Sequence, residues 1–237
     1  MKIKIIGDCH GKFDRYEQLI KYYNTEHSIQ IGDFGLGVAW SKLDRHKVDS
    51  ENNKIIPGNH DDYNYIINSA RAKEWTFGND YGIQNFNGLE FFFVRGAWSI
   101  DKAYRTPTLD WWEEEELSAD ELEQAIELYV KTKPEIMITH ECPGDSINGI
   151  SSIIFLKHNI FRPNRTASAL QRMWEIHKPK LWIFGHWHET GNWEVLGTEF
   201  VCLGELDYID YEIGDTVKNS VDWNIVKIRE QIKKIKG

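Results

Sequence analysis

Cysteine is scarce in this sequence. Its three residues, Cys9, Cys142 and Cys202, lie far apart with no Cys-x-x-Cys pair, so neither a disulfide framework nor a zinc knuckle is expected and a reducing cytoplasm fits. No apolar run approaches the roughly 20 residues needed to cross a bilayer. No charged stretch followed by an apolar core opens the chain at Met1, and the expectation is a soluble, unexported, cytoplasmic protein with no membrane partner. Positive charge is short as well: 28 Lys and Arg stand against 37 Asp and Glu, a net charge of -9. That balance argues against binding long nucleic acid, which relies on cationic side chains displacing condensed counterions.

Aromatics, by contrast, are plentiful. They make up 13% of the 237 residues and include ten Trp, within a hydrophobic fraction of 41%. This is enough to fill the core of one domain spanning residues 1–237 and leave rings over for a cleft. The densest charge, Glu113 to Glu116, reads as a solvated surface run ahead of a helix, whose N-terminus acidic residues suit.

One local grammar recurs five times: a short apolar run, then glycine or threonine, then a polar residue able to hold a metal. Residues 2–6 lead into Gly7-Asp8, 28–31 into Gly32-Asp33, 54–56 into Pro57-Gly58-Asn59-His60, 135–138 into Thr139-His140, and 180–184 into Gly185-His186. Each run predicts a strand that stops at a turn. Helices are predicted between them, from Phe13 to about Tyr23, Asp61 to Ser69, Ser118 to Lys131, and Thr166 to His177. Ser118 and Glu121 form a capping box for the third, with Leu122, Ile126 and Val130 at helical spacing behind. Two hairpins are predicted, 83–86 with 90–94 through Asn87-Gly88, and 193–196 with 199–203 through Gly197. The tail from Trp223 to Lys236 has the pattern of an amphipathic helix. The fold class is α/β, a two-layer mixed β-sheet sandwich flanked by helices, with ligands gathered at one sheet edge.

Carboxylate, amide and imidazole ligands suit Mn, Fe, Zn or Ni better than soft thiolate sites would. Two such ions about 3.5–4 Å apart can orient and deprotonate a shared water for in-line attack at phosphorus. One carboxylate must bridge them, and Asp33 is the natural choice.

The ordered blocks Gly7-Asp8-Cys9-His10-Gly11, Gly32-Asp33, Gly58-Asn59-His60-Asp61, Thr139-His140 and Gly185-His186-Trp187-His188 resemble those of calcineurin-like metallophosphoesterases. The resemblance spans residues 7 to 188 and implies that fold. It implies two divalent metal ions, with Mn²⁺ the first expectation. Asp8, His10 and His188 would hold one, Asn59, His140 and His186 the other, and Asp33 would bridge. His60 is then a non-ligand that contacts phosphate and protonates the leaving oxygen, a role suited to an imidazole titrating near neutral pH. The implied activity is hydrolysis of a phosphomonoester or phosphodiester by a metal-bridging hydroxide; a small, nucleotide-like substrate is expected separately, because aromatics near the presumed lid could stack a base.

Departures from the phosphoprotein-phosphatase branch weaken that assignment. Asp33 is followed by Phe34-Gly35-Leu36-Gly37 rather than by Asp-x-x-Asp-Arg-Gly from its own position, and the last block carries two histidines. A Ser/Thr phosphatase, a nuclease and a non-catalytic binding module of the same fold are the alternatives. Residues 96–117, with Arg95, Trp98, Ser99, Asp101, Trp111 and Trp112 in or beside them, resemble a segment of uncharacterised bacterial and phage phosphoesterases and are expected to form a lid or cleft wall. Arg105 is the first candidate for a phosphate clamp and Arg165 the second, because a guanidinium offers paired donors. His27, His46, His158 and His177 match no block and are read as structural or solvent-facing, Cys9 as a small packing residue, and Cys142 as having no catalytic or redox role.

Overall fold

The runs that end at a site residue all become strands. The computed structural model describes residues 1–38, 48–144 and 164–214, with the backbone of 221–222. The elements are β1 (Lys2–Ile6), α1 (Phe13–Tyr22), β2 (His27–Gln30), β3 (Asn53–Ile55), α2 (Tyr63–Asn68), α3 (Ala70–Trp75), β4 (Tyr81–Phe86), β5 (Leu89–Val94), α4 (Ala119–Thr132), β6 (Ile136–Thr139), α5 (Arg165–Ile176), β7 (Leu181–Phe184), β8 (Gly191–Val195), β9 (Thr198–Cys202), β10 (Tyr208–Glu212) and β11 (Val221–Asp222). They form two mixed sheets, ordered β11-β10-β1-β2-β3 and β4-β5-β6-β7-β9-β8. Within the first, β1, β2 and β3 are parallel. Within the second, β5, β6, β7 and β9 are parallel and each end is closed by an antiparallel hairpin strand.

The central strands β1, β6 and β7 are buried on both faces past their first residues, which explains their apolar character. Alternate residues point to opposite sides. Ile3, Ile5 and Ile29 of the first sheet meet Phe91, Phe93, Ile138 and Ile183 of the second in one cluster between the sheets. The other face of the first sheet packs Ile6 and Ile55 with Phe13, Tyr16 and Leu19 of α1, Ile66 of α2 and Trp75 of α3. On the second sheet, Phe92, Met137 and Trp182 pack against Leu122, Ile126 and Tyr129 of α4 and Leu170 and Met173 of α5. The result is helix, sheet, sheet, helix. Burying each such side chain contributes about 1.5–3 kcal/mol, and Trp182 meets the polar requirement of its indole by donating Nε1 to Thr139 Oγ1 at 2.9 Å.

The capping box forms, with Ser118 Oγ accepting from Glu121 N and Glu121 accepting from Ser118 N. Val130, expected on the buried face of α4, is partly exposed, and Ala125 and Tyr129 take that face. The helix expected from Asp61 to Ser69 is α2, and α3, which was not expected, follows it directly. Ser69 adopts an extended conformation and its side chain accepts from Ala72 N, so it closes α2 and caps α3. β10 was not anticipated; it pairs antiparallel with β1 from Lys2↔Glu212 to Ile6↔Tyr208. The Asn87-Gly88 turn has positive φ at both residues, as that hairpin type requires. The predicted tail helix, His46 and His158 lie outside the described residues. Among the described residues, no helix is long and apolar enough to cross a membrane.

Candidate metal centre

Parallel pairing sets the C-terminal ends of β1, β2 and β3 side by side, and likewise those of β6 and β7. The residues just past these ends converge. Asp8, His10, Asp33 and His188 form one group and Asp33, His140 and His186 a second, each with its ligand atoms within 4.8 Å of one another. Asp33 belongs to both. Asn59 joins the second group, its Oδ1 lying 3.1 Å from His140 Nε2.

The atoms that face inward are mostly acceptors. His140 Nδ1 lies 2.8 Å from the carbonyl oxygen of Ile31 and donates to it. That leaves Nε2 facing Asp33 Oδ1 at 3.2 Å and Asn59 Oδ1 at 3.1 Å. A nitrogen lone pair opposed to two oxygens requires a proton or a cation between them. Burial opposes a charge on His140, yet Asp33, Asp8 and the Ile31 carbonyl outweigh it and push its pKa up to about 10. Burial would likewise raise Asp33, but His140, His60 and His10 hold it well below the usual carboxylate range. His186 is driven down to about 3, by burial first and by the neighbouring His140 next.

In the other group, Asp8 Oδ2 is buried and makes no well-directed hydrogen bond. His188 Nε2 lies 3.2 Å from it and His10 Nε2 3.8 Å. The two imidazole nitrogens are themselves 2.9 Å apart. An orphaned buried carboxylate oxygen with two imidazoles turned toward it fits a divalent cation.

Backbone strain is concentrated here. His10, Asp33, His186 and His188 all have positive φ, between 49° and 68°, a region that non-glycine residues seldom occupy and that clusters at functional sites. Gly32, at φ 112°, is where the approach is closest: a Cβ there would overlap the imidazole of His140.

Three further carboxylates support the centre and had no assigned role in the sequence reading. Asp61 is fully buried and accepts from the backbone N–H groups of Phe34, Gly35, Leu36 and Gly58, at 3.3, 2.7, 2.7 and 2.8 Å. It ties the loop carrying Asp33 to the loop carrying Asn59. Burial and the charge of Asp33 push its pKa up to about 6, against the pull of those N–H groups. Glu141 accepts from Cys142 N, Trp187 Nε1 and Asn164 Nδ2 and sits 3.8 Å from His186 Nε2. Glu115 corrects the expectation that Glu113 to Glu116 is a solvated run. It is 2% exposed, accepts from Ser99 N and Ser99 Oγ, and is pushed up to about 7, chiefly by burial. A buried acid inside an acidic run carries no local sequence signal, whereas an acid after Gly-Asn-His could have been suspected from the adjoining glycine-rich turns.

His60 lines the cleft beside the two groups. Its N–H donates to Asp33 Oδ1 at 2.8 Å, and its Nε2 accepts from Arg105 Nη2 at 2.6 Å. Burial lowers its pKa, Asp33 opposes and Arg105 adds to the lowering. Arg105 also pairs with Asp101 at 2.7 Å. Arg165 is not brought to the cleft; its guanidinium reaches the Glu113 and Glu116 carbonyls at 3.4 and 3.2 Å. A cavity of ≈ 210 Å³ opens over the centre, lined by Asp33, Asn59, His60, Ile100, Asp101, His186, Trp187 and His188. His27 contacts Asn87 and His177 the Pro134 carbonyl, both away from it. Cys9, Cys142 and Cys202 are buried, unpaired thiols.

The model of the calcineurin-like phosphoesterase family matches residues 1–190. The chain belongs to that family. It is a family of phosphoesterases, which supports hydrolase activity and implies divalent metals. No curated protein sequence matches the chain. Among solved structures, a dimetal phosphatase from Danio rerio is similar at a TM-score of 0.52 and 12% identity, covering 89% of this phosphoesterase chain and 91% of its own. The phosphopantetheinyl hydrolase of Mycobacterium tuberculosis is similar at a TM-score of 0.47 and 17% identity, covering 86% of this chain and 89% of its own. At 12% identity the likeness to the Danio rerio phosphatase speaks for the fold alone.

Proposed function

We propose that this chain hydrolyses small phosphate esters, nucleotide-like ones foremost, at a centre that takes two divalent ions, Mn²⁺ first among them. The observation that carries this reading is the pair of donor groups sharing Asp33, one of them containing an orphaned buried carboxylate oxygen. Asp8, His10 and His188 would hold one ion, Asn59, His140 and His186 the other, and Asp33 would be shared by both. Such ions, when bound, lower the pKa of a water toward neutrality and neutralise charge on phosphate.

The chain's own residues do the rest. The backbone N–H of His60 fixes Asp33, and its ring faces the cavity. Because a guanidinium can only donate, the contacts from Arg105 Nη2 to Nε2 at 2.6 Å and Nδ1 at 3.1 Å require His60 to be neutral, with one of these nitrogens accepting. A phosphate that engages Arg105 removes that donor and adds negative charge beside the ring. Nε2 is then free to hold a proton and pass it to the leaving oxygen, a step that contributes typically 10²–10⁴-fold. The cavity is below the roughly 300 Å³ of common ligand pockets, so it admits the phosphate and the start of the leaving group, with Ile100 and Trp187 as its apolar walls. Residues 96–117 are the cleft wall of a single catalytic unit, and the buried free thiols suit the cytoplasm.

The test is hydrolysis by the purified protein with Mn²⁺ of p-nitrophenyl phosphate, its bis ester and a nucleotide panel. Turnover of at least one is expected, and none turned over, with metal bound, overturns the reading. Tight, salt-sensitive binding of long nucleic acid would favour a nuclease instead.

A further inference from the structure

A metal ligand must present oxygen, yet an asparagine amide can present either its oxygen or its NH₂. At Asn59 the choice is made by a chain of two residues. Glu115 Oε1 accepts from the backbone N–H of Ser99 at 2.9 Å, and its Oε2 accepts from Ser99 Oγ at 2.8 Å. An ionised carboxylate has no proton to give. The single hydroxyl proton of Ser99 therefore goes to Glu115, and Ser99 Oγ can only accept from Asn59. Asn59 Nδ2 is the donor, at 3.0 Å, which turns Oδ1 toward His140 Nε2 and the second donor group. Asn59, Ser99 and Glu115 are 1%, 0% and 2% exposed, so water cannot take over any link.

Both partners come from the feet of the segment 96–117, which are fastened to the Asn59 loop. Gly96 N donates to Pro57 O at 2.8 Å and Ala97 N to Glu115 O at 3.1 Å. Gly96, at φ 80°, leaves no room for a Cβ, which would overlap the Glu115 carbonyl.

We propose that Ser99 and Glu115 are positioning residues that set the polarity of the Asn59 amide, so that the wall of the cleft controls occupancy of the second metal site. The inference rests on the reading of Asn59 as a metal ligand. E115Q should reverse the chain: the backbone N–H of Ser99 claims the one remaining carbonyl oxygen, the new NH₂ donates to Ser99 Oγ, and the hydroxyl proton turns to Asn59. The amide then shows NH₂ to the metal. An aspartate in place of Asn59 accepts at both ends and tolerates the reversed chain.

The experiment is calorimetric titration with Mn²⁺ at about pH 8, above the value of about 7 to which burial pushes Glu115, of wild type, E115Q, S99A, N59D and E115Q/N59D, with the metal-free unfolding midpoint recorded for each. The wild type should bind two ions, and E115Q and S99A should keep the first and bind the second about 10- to 100-fold more weakly. N59D should strengthen the second site about tenfold more in the E115Q background than in wild type. Wild-type second-site affinity in both E115Q and S99A overturns the proposal, as does an equal effect of N59D in the two backgrounds. If E115Q does not fold, S99A alone decides by the same criterion. Fewer than two ions on the wild type would instead overturn the dinuclear reading, and this inference with it.

Discussion

Replacing Asp61 by asparagine in the metal-free protein tests how the centre is built, because burial and hydrogen bonding pull that carboxylate in opposite directions. Its folded pKa is about 6 against a reference value of 3.8. Between those two values the folded protein holds a proton that the unfolded chain has already lost. Wild-type stability therefore falls as pH rises through this window, by about 1.4 kcal/mol per unit and about 3 kcal/mol in all. Asp61→Asn does not titrate and escapes this loss. It has a separate, pH-independent cost: the new NH₂ must face either the N–H pair of Gly35 and Leu36 or that of Gly58 and Phe34. Leaving such buried donors unpaired costs about 1–3 kcal/mol. The variant should thus be the less stable protein near pH 4 and gain on wild type by about 3 kcal/mol as pH approaches 7. Urea unfolding across that range reads the difference, in which titrating groups remote from Asp61 cancel and Asp33, which interacts with it, does not. Parallel profiles would refute the reasoning. Metal loading, by neutralising Asp33, should shrink the gain.

Three other outcomes follow from the geometry. His60→Ala should retain both metals and lower kcat by about 10²–10⁴-fold, measured with matched metal content; equal metal loss would contradict its role as a non-ligand. Arg105→Ala should raise KM for an anionic ester and also raise the pKa of His60, since Arg105 is one of the groups lowering it; NMR titration of the ring checks the second effect. Ser118→Ala removes the capping box of α4 and should cost about 1 kcal/mol in the unfolding free energy, with activity unchanged.

Much of the fold was legible because its signals are local. Five apolar runs each end at a turn residue, and every one is a strand within one or two residues of its predicted bounds. Asn87-Gly88 and the Ser118 box act within four residues. What escaped depended on partners far away in the chain. The helix α3 escaped because Ser69, which ends α2, at once caps a second helix whose Trp75 is held by packing. Tyr208–Glu212 becomes a strand because β1 has an open edge to pair with. At the candidate site the converging residues were readable as strand ends. Glu115, 16 residues from Ser99 and flanked by acids, was not, because nothing in an acidic run marks which member is buried. Arg165 was singled out for its chemistry alone, and the fold spends it on the carbonyls of Glu113 and Glu116.

Two ions are proposed to share Asp33. Electron paramagnetic resonance of the Mn²⁺-loaded protein tests this most directly, because ions joined through one carboxylate are magnetically coupled. A coupled-pair spectrum is expected at two Mn²⁺ per chain in the wild type, replaced by the signal of isolated ions, or lost, in Asp33→Asn. A wild-type protein that binds one ion, or two ions without coupling, would contradict that sharing.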